Sequence, residues 1–249
     1  MDISLASLVA ALILAMAYVA GGWLTAHGGE EGIRACRRWI SAAAGVSVAY
    51  VFVDVLPELA AQNRAVVAAA GGERTLFAEQ RIYVLALLSF VILYGIQYFV
   101  LASRERRPHG ETTAALDSTY LLHLAGYSAY SVLIGHLLTE RSERGAVTLT
   151  IYTVAMALHF LIVDHSLFEE HGARYAGTGR ALMAASVVAG WLIGAATHIS
   201  PVTFARLFAI LAGGVVITSL RAELPNQRQG RFWYFVLGAV LFAAILLFA

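Results

Sequence analysis

Eight uninterrupted apolar runs, each about as long as a bilayer is thick, set the first constraint on this chain. A helix that crosses the hydrocarbon needs about 20 mostly apolar residues. Runs of that length lie at 5–26, 39–59, 82–102, 118–138, 146–167, 181–199, 201–220 and 232–249, about two-thirds of the 249 residues. A transmembrane β-barrel instead shows alternating segments of about ten residues, and these runs neither alternate nor stop so early. Composition agrees: 59% of residues are hydrophobic and 13% charged, with a mean hydropathy of +0.72, against roughly 25% charged in a soluble domain. A soluble enzyme, a disordered chain and a secreted disulfide scaffold are therefore excluded, the last also because Cys36 is the only cysteine. All 17 basic residues are arginine, so chemistry that needs a lysine, such as a retinal Schiff base or a P-loop, is closed to it. A net charge of +1 gives no reason to expect a nucleic-acid partner. The expected fold class is all-α, a polytopic membrane protein of eight transmembrane helices, with residues 1–249 forming a single transmembrane domain.

The first run is preceded by Asp2 and no basic residue, and it is long enough to span, so it reads as a retained helix rather than a cleaved signal. Arginine placement sets the orientation. With the N-terminus outside, eleven arginines fall on the inner side and six on the outer, and Arg34, Arg37 and Arg38 crowd the first inner loop. Both termini are expected outside, in the inner membrane if the host is bacterial. The loop 104–117 is expected to be short, polar and cytoplasmic, and Ser200-Pro201 makes a tight turn between the sixth and seventh runs.

The second and seventh runs share a pattern. In each, a glycine stands twelve residues before a proline preceded by leucine: Gly45 with Leu56-Pro57-Glu58, and Gly213 with Leu224-Pro225-Asn226. Helices five apart in order cross in opposite directions, so the shared element has the form of an inverted repeat, a common transporter device.

A charge at the bilayer centre costs roughly 2.5–3.5 kcal/mol on insertion scales, so ionisable residues inside the runs need a partner or a cavity. They are Asp54 in the second run, His123 and His136 in the fourth, and His159, Asp164 and His165 in the fifth. Asp117, Glu169, Glu170, His171, His198, Arg206 and Glu223 lie near run ends, where the interface accounts for a charge. His123 shares a face with Tyr120, Tyr127 and Tyr130. His159 and Asp164 are five residues apart, so on a regular helix they point about 140° from one another. His165 and Glu169, four apart, share a face. Histidine with carboxylate suits a divalent transition metal such as zinc, and equally a proton relay. Cys36, beside three arginines, reads as a loop cysteine.

These features resemble the ZIP (Zrt/Irt-like) family of metal transporters. The resemblance rests on Gly45–Glu58 against that family's second helix, Gly213–Asn226 against its seventh, Gly190-Trp-Leu-Ile-Gly194 against its sixth, and on topology throughout. It implies eight helices with both termini outside, the inverted repeat comprising helices 1–3 and 6–8 around a central pair of helices 4 and 5. The family's metal site lies on that pair. Its fourth-helix pattern falls on His123-Leu124-Ala125-Gly126-Tyr127-Ser128, where only the histidine survives and Tyr127 replaces a glutamate ligand. Its fifth-helix pattern falls on His159–Asp164, where the first histidine and the final acid survive and the distorting proline is lost. The implied ligands are His123, His159 and Asp164, with His165 or Asp54 as substitutes.

The function this implies is transport of a divalent metal ion, zinc or a relative, through a reduced site. The alternative is a ZIP-fold membrane protein that has lost metal transport and binds, senses or carries another solute. An intramembrane metal-dependent hydrolase using Ser131 and His136 matches no spacing rule, and the chain is not expected to be an enzyme or to need a cofactor. The expected partners are the lipid bilayer, the metal ion and, as a homodimer, a second copy of the chain.

Overall fold

The computed structural model describes residues 5–27, 30–69, 80–105, 113–223 and 232–248. All of it is helical apart from short turns, with no strand among the described residues. The helices are α1 (Leu5–His27), α2 (Glu30–Tyr50), α3 (Leu56–Ala69), α4 (Arg81–Glu105), α5 (Thr113–Glu143), α6 (Ala146–His171), α7 (Arg180–Ala196), α8 (Pro201–Glu223) and α9 (Phe232–Phe248). Two short π-helical segments join them: π1 (Val51–Val55) fuses α2 to α3, and π2 (Tyr175–Gly179) leads into α7.

Six helical rods are long and apolar enough to cross a membrane: Arg38–Ala68, Arg81–Val100, Ser118–Glu143, Ala146–His171, Tyr175–Ala196 and Pro201–Leu220. Shorter apolar helices run over Leu5–Gly21 and Phe232–Phe248. Leu12, Leu87, Val91, Ile193 and Leu241 stand exposed around the bundle. A soluble monomer seldom exposes such continuous apolar surface, whereas lipid tails cover it at no cost.

The second run extends well beyond its expected end at 59, because α2, π1 and α3 continue as one rod. Pro57 explains the π turn. It has no N–H to give to Val53 and its ring crowds that carbonyl. The chain takes up an extra residue there, and the Leu56 N–H reaches back to the Val51 carbonyl. The α5–α6 connection is tight, with Gly145 at φ 114° just before α6. Helix α6 stops at Gly172, whose φ of 57° favours glycine and whose N–H returns to the Phe168 carbonyl at 2.8 Å. Ser200 caps α8 by accepting the Thr203 N–H at 3.2 Å, and Pro201 follows at the first helical position, where its missing N–H costs nothing.

Small residues set the helix spacing. A Cβ at Gly190 of α7 would collide with the Val132 carbonyl of α5, and one at Gly135 of α5 with the Val187 carbonyl of α7. A Cβ at Gly45 of α2 would strike the Phe235 carbonyl of α9, and one at Gly213 of α8 the Ala86 carbonyl of α4. Such close backbone approach is how helices pack where lipid gives no hydrophobic drive. Buried polar groups add cross-links: Tyr18 and Ser131 hydroxyls lie 2.9 Å apart, Tyr152 donates to the Ile134 carbonyl at 3.0 Å, and Trp191 Nε1 donates to Ser7 at 3.1 Å. The loop 106–112, Met1–Ser4 and Leu224-Pro225-Asn226 lie outside the described residues, as do the side chains of Cys36, Asp117 and Glu223.

Candidate metal centre

Of the ionisable groups inside the helices, His123 has the most informative surroundings. It is almost fully buried on α5. Its Nδ1 lies 2.9 Å from Nε2 of His171 and 3.0 Å from Oε2 of Glu170, both in the last turn of α6. One ligand atom from each of His123, Glu170 and His171 falls within 4.8 Å of the others, and no other group of three or more His, Cys, Asp or Glu does so among the described residues. Ligands bound to zinc at 2.0–2.1 Å in a tetrahedron sit about 3.3 Å apart. The triad is a few tenths of an ångström tighter along two edges, which small side-chain rotations open.

Aromatic rings hold these groups. The Tyr127 ring centre is 5.0 Å from that of His123, and Gln97 of α4 donates to the Tyr127 hydroxyl at 2.7 Å. The Tyr120 ring meets His171 edge-on at 5.0 Å, and the Arg174 guanidinium lies 4.3 Å from the centre of the same Tyr120 ring. Nε2 of His123 is buried with no hydrogen-bond partner, so ring contacts and the Nδ1 neighbours fix its orientation.

The other predicted ligands are not drawn into this cluster. His159 is fully buried in the middle of α6, and Thr218 of α8 is its neighbour, with Nε2 3.2 Å from the hydroxyl. The Thr218 hydroxyl also lies within reach of the Gly214 and Val215 carbonyls, at 2.8 and 3.2 Å. The other ring nitrogen of His159, Nδ1, is buried with no hydrogen-bond partner. The Tyr130 ring stands edge-on to it at 5.9 Å, away from His123, although one face of α5 carries both. His159 lies eleven residues before Glu170, about 16 Å along the helix.

Asp164 has no exposed surface and points at α7. Arg180 grips it with two parallel bonds, Nε to Oδ1 at 2.7 Å and Nη2 to Oδ2 at 3.1 Å, and Tyr175 donates to Oδ1 at 2.9 Å. Gly21 of α1 leaves the room this carboxylate occupies, since a Cβ there would overlap Oδ2. As the 140° separation requires, His159 and Asp164 face different helices. His165 pairs with Glu169 at 3.1 Å along α6. Asp54 sits in π1, 3.9 Å from Nη2 of Arg141 at the far end of α5.

Glu170 and His171 therefore join His123, although their place at a run end marked them as interfacial. A simple count locates them. The turn between α5 and α6 lies at 144–145, so residues equally far from it stand opposite each other. His123 is twenty before Glu143, and the residue twenty after Ala146 is Ser166, about one turn from Glu170. His159 lies two turns too near the hairpin. No protein-family model and no curated protein matches the chain.

Proposed function

We propose that this chain is a divalent transition-metal transporter of ZIP-like architecture, with His123, Glu170 and His171 as its metal-binding station. The observation that carries this reading is the convergence of two imidazoles and one carboxylate, buried between two membrane-spanning helices. Two nitrogens and an oxygen suit zinc and its first-row neighbours and are poor for calcium or magnesium, which prefer all-oxygen shells. The bilayer provides the surroundings, and no nucleic acid or organic cofactor enters.

Eight spans, with both termini outside in a bacterial inner membrane, complete the architecture. The inverted repeat of helices 1–3 and 6–8 is supported by paired contacts. Gly45 abuts the last helix at Phe235 and Ala239, and Gly213 abuts the third span at Ala86 and Phe90. These glycines are the two that the repeat equates, and each meets a carbonyl and the amide four residues later. His159 and Asp54 would be further stations for the ion, with His165 a substitute at the triad's end of α6. Asp164 could join only by leaving Arg180.

The test is uptake and binding with purified protein in proteoliposomes. His123→Ala, Glu170→Gln and His171→Ala are each expected to lower zinc affinity by roughly 100-fold or more and to abolish uptake, since a three-ligand site cannot spare one. His165→Ala is expected to leave affinity within about threefold, because its carboxylate partner lies outside the triad. Triad variants that bind and transport like the parent would sink the reading. Gln97→Leu, which removes the Gln97 hydrogen bond to the Tyr127 hydroxyl, is expected to weaken binding by about tenfold while leaving the ligands in place, read by titration calorimetry.

One observation favours a second reading, a ZIP-fold protein that binds metal without carrying it. The Asp164–Arg180 clamp ties α6 to α7 in the segment between His159 and the triad. Parent protein that binds zinc at the triad but shows no uptake above protein-free vesicles would select this reading.

A further inference from the structure

Two buried arginines among the described residues face a carboxylate, and only one of them grips it. Arg180 offers its Nε and Nη2 edge to Asp164 and both bonds form. Arg141, only 3% exposed, turns the same edge inward, yet its Nε and Nη2 have no hydrogen-bond partner. The nearest carboxylate is Asp54, whose Oδ2 is 3.9 Å from Nη2 and is likewise unpartnered. At that distance the charges attract, but no hydrogen bond exists. A buried guanidinium with an unmet edge beside a carboxylate with an unmet oxygen is poised for a shift of about 1 Å.

The surroundings allow such a shift on one side only. Arg141 is held over the rings of Tyr152 on α6 and Phe208 on α8, 5.5 and 5.0 Å from their centres. Asp54 rides on π1, the turn that Pro57 loosens, and its side chain is 29% exposed. Single π turns inside α-helices recur at functional sites. One turn further, Glu58 already pairs with Arg144, which stacks on Phe204 of α8. The rod is thus anchored by a closed ion pair beyond the π turn, while the Asp54 carboxylate within the turn has not closed on Arg141.

We propose that Asp54 and Arg141 form an unclosed latch at the end of the bundle opposite the His123 triad. Eighteen residues of α5 separate Arg141 from His123, about 27 Å, close to the thickness of the hydrocarbon. When Asp54 reaches the free edge of Arg141, four helices are drawn together: π1 and α5 through the ion pair, α6 and α8 through the rings beneath the guanidinium. That closes this end to solutes while the triad's end is unaffected. The latch rests on the transporter reading for its purpose, but its geometry can be tested with no metal present.

The experiment uses the full chain in proteoliposomes, with Cys36→Ser and a single reporter, Ser47→Cys. Ser47 is buried on α2, seven residues before Asp54. A membrane-impermeant methanethiosulfonate is added to the face that carries Arg141 and, separately, to the other face. Asp54→Glu, one methylene longer, spans the gap and is expected to slow labelling from the Arg141 face roughly fivefold or more; Asp54→Asn, which has no charge to close with, is expected to speed it by a similar factor. Labelling from the other face stays within about twofold for both. Arg141→Lys, which keeps the charge but loses the Nε edge, replaces Asp54→Asn if that variant does not elute as a monodisperse peak, and the same acceleration is expected. Opposite shifts of Asp54→Glu and the unlatched variant establish the latch. Unchanged rates, or shifts in one direction for both, overturn it. Neither outcome depends on metal binding, so the latch and the metal station stand or fall separately.

Discussion

Arg180→Met is expected to be the most damaging single substitution within the described bundle. It strips the fully buried Asp164 carboxylate of its guanidinium partner, while the Tyr175 hydroxyl still donates to Oδ1. Breaking one partner from a buried pair costs about 3–5 kcal/mol, because the remaining charge is stranded. Asp164→Leu strands the guanidinium instead and should cost about as much. The double variant Asp164→Leu with Arg180→Met removes both charges and fills similar volume, and such exchanges are often neutral or stabilising. Recovery of most of the lost stability in the double variant, measured by thermal unfolding in detergent, is the expected signature. Additive losses would mean that the pair is not the source of the effect. Tyr175→Phe deletes one hydrogen bond to a charged acceptor and should cost about 1.5–3 kcal/mol.

Gly190→Val should come next. The β-carbon added there meets the Val132 carbonyl and not a mobile side-chain tip. Backbone cannot step aside as a rotamer can, so α5 and α7 must separate. Overpacking of this kind costs about 1–3 kcal/mol, sometimes more. Gly135→Val attacks the same crossing from the other helix. Gly95→Val is the control, since nothing lies within 4 Å of the position its Cβ would take. Its change should be within about 0.5 kcal/mol, as helix propensity improves slightly. Gly45→Val and Gly213→Val are expected to fall by similar amounts, because each drives a Cβ into the neighbouring carbonyl. A tolerated Gly190→Val, with unchanged melting and unchanged elution volume, would show that the α5–α7 contact is looser than drawn.

Much of the helical layout was legible from apolar run length, since long apolar stretches obey a simple thickness rule. Ser200-Pro201 behaved as its chemistry requires, and His165 paired with Glu169 because four residues bring side chains onto one face. The extent of the second rod was not legible. The run was expected to end at 59, and the π turn at Val51–Val55 lets the chain continue as one rod past Pro57 to Ala69. The site was partly legible. Periodicity shows which residues of one helix share a face, and it separated His159 from Asp164 correctly. It says nothing about which turn of the next helix stands at the same depth. That register is fixed by the α5–α6 hairpin and by where Gly172 ends α6, which is why Glu170 and His171 lay hidden as interfacial charges. The partner of Asp164 was hidden for a similar reason. Arg180 was counted among the loop arginines that set orientation, yet the π turn before it swings its guanidinium into the bundle.

The end of α6 at Gly172 has an electrical consequence. A 26-residue helix aligns its peptide dipoles, and the sum places about half a negative charge at its C-terminus, decaying within the final turn. Glu170 and His171 lie in that turn. The N-terminus of α5, on the same side, begins ten residues before His123, about 15 Å away, too far to cancel the effect. A divalent cation at the triad would therefore meet a favourable field from the peptide backbone as well as from the one carboxylate. With two neutral imidazoles contributing no charge, that backbone field supplies part of the neutralisation that a second acidic ligand would otherwise provide.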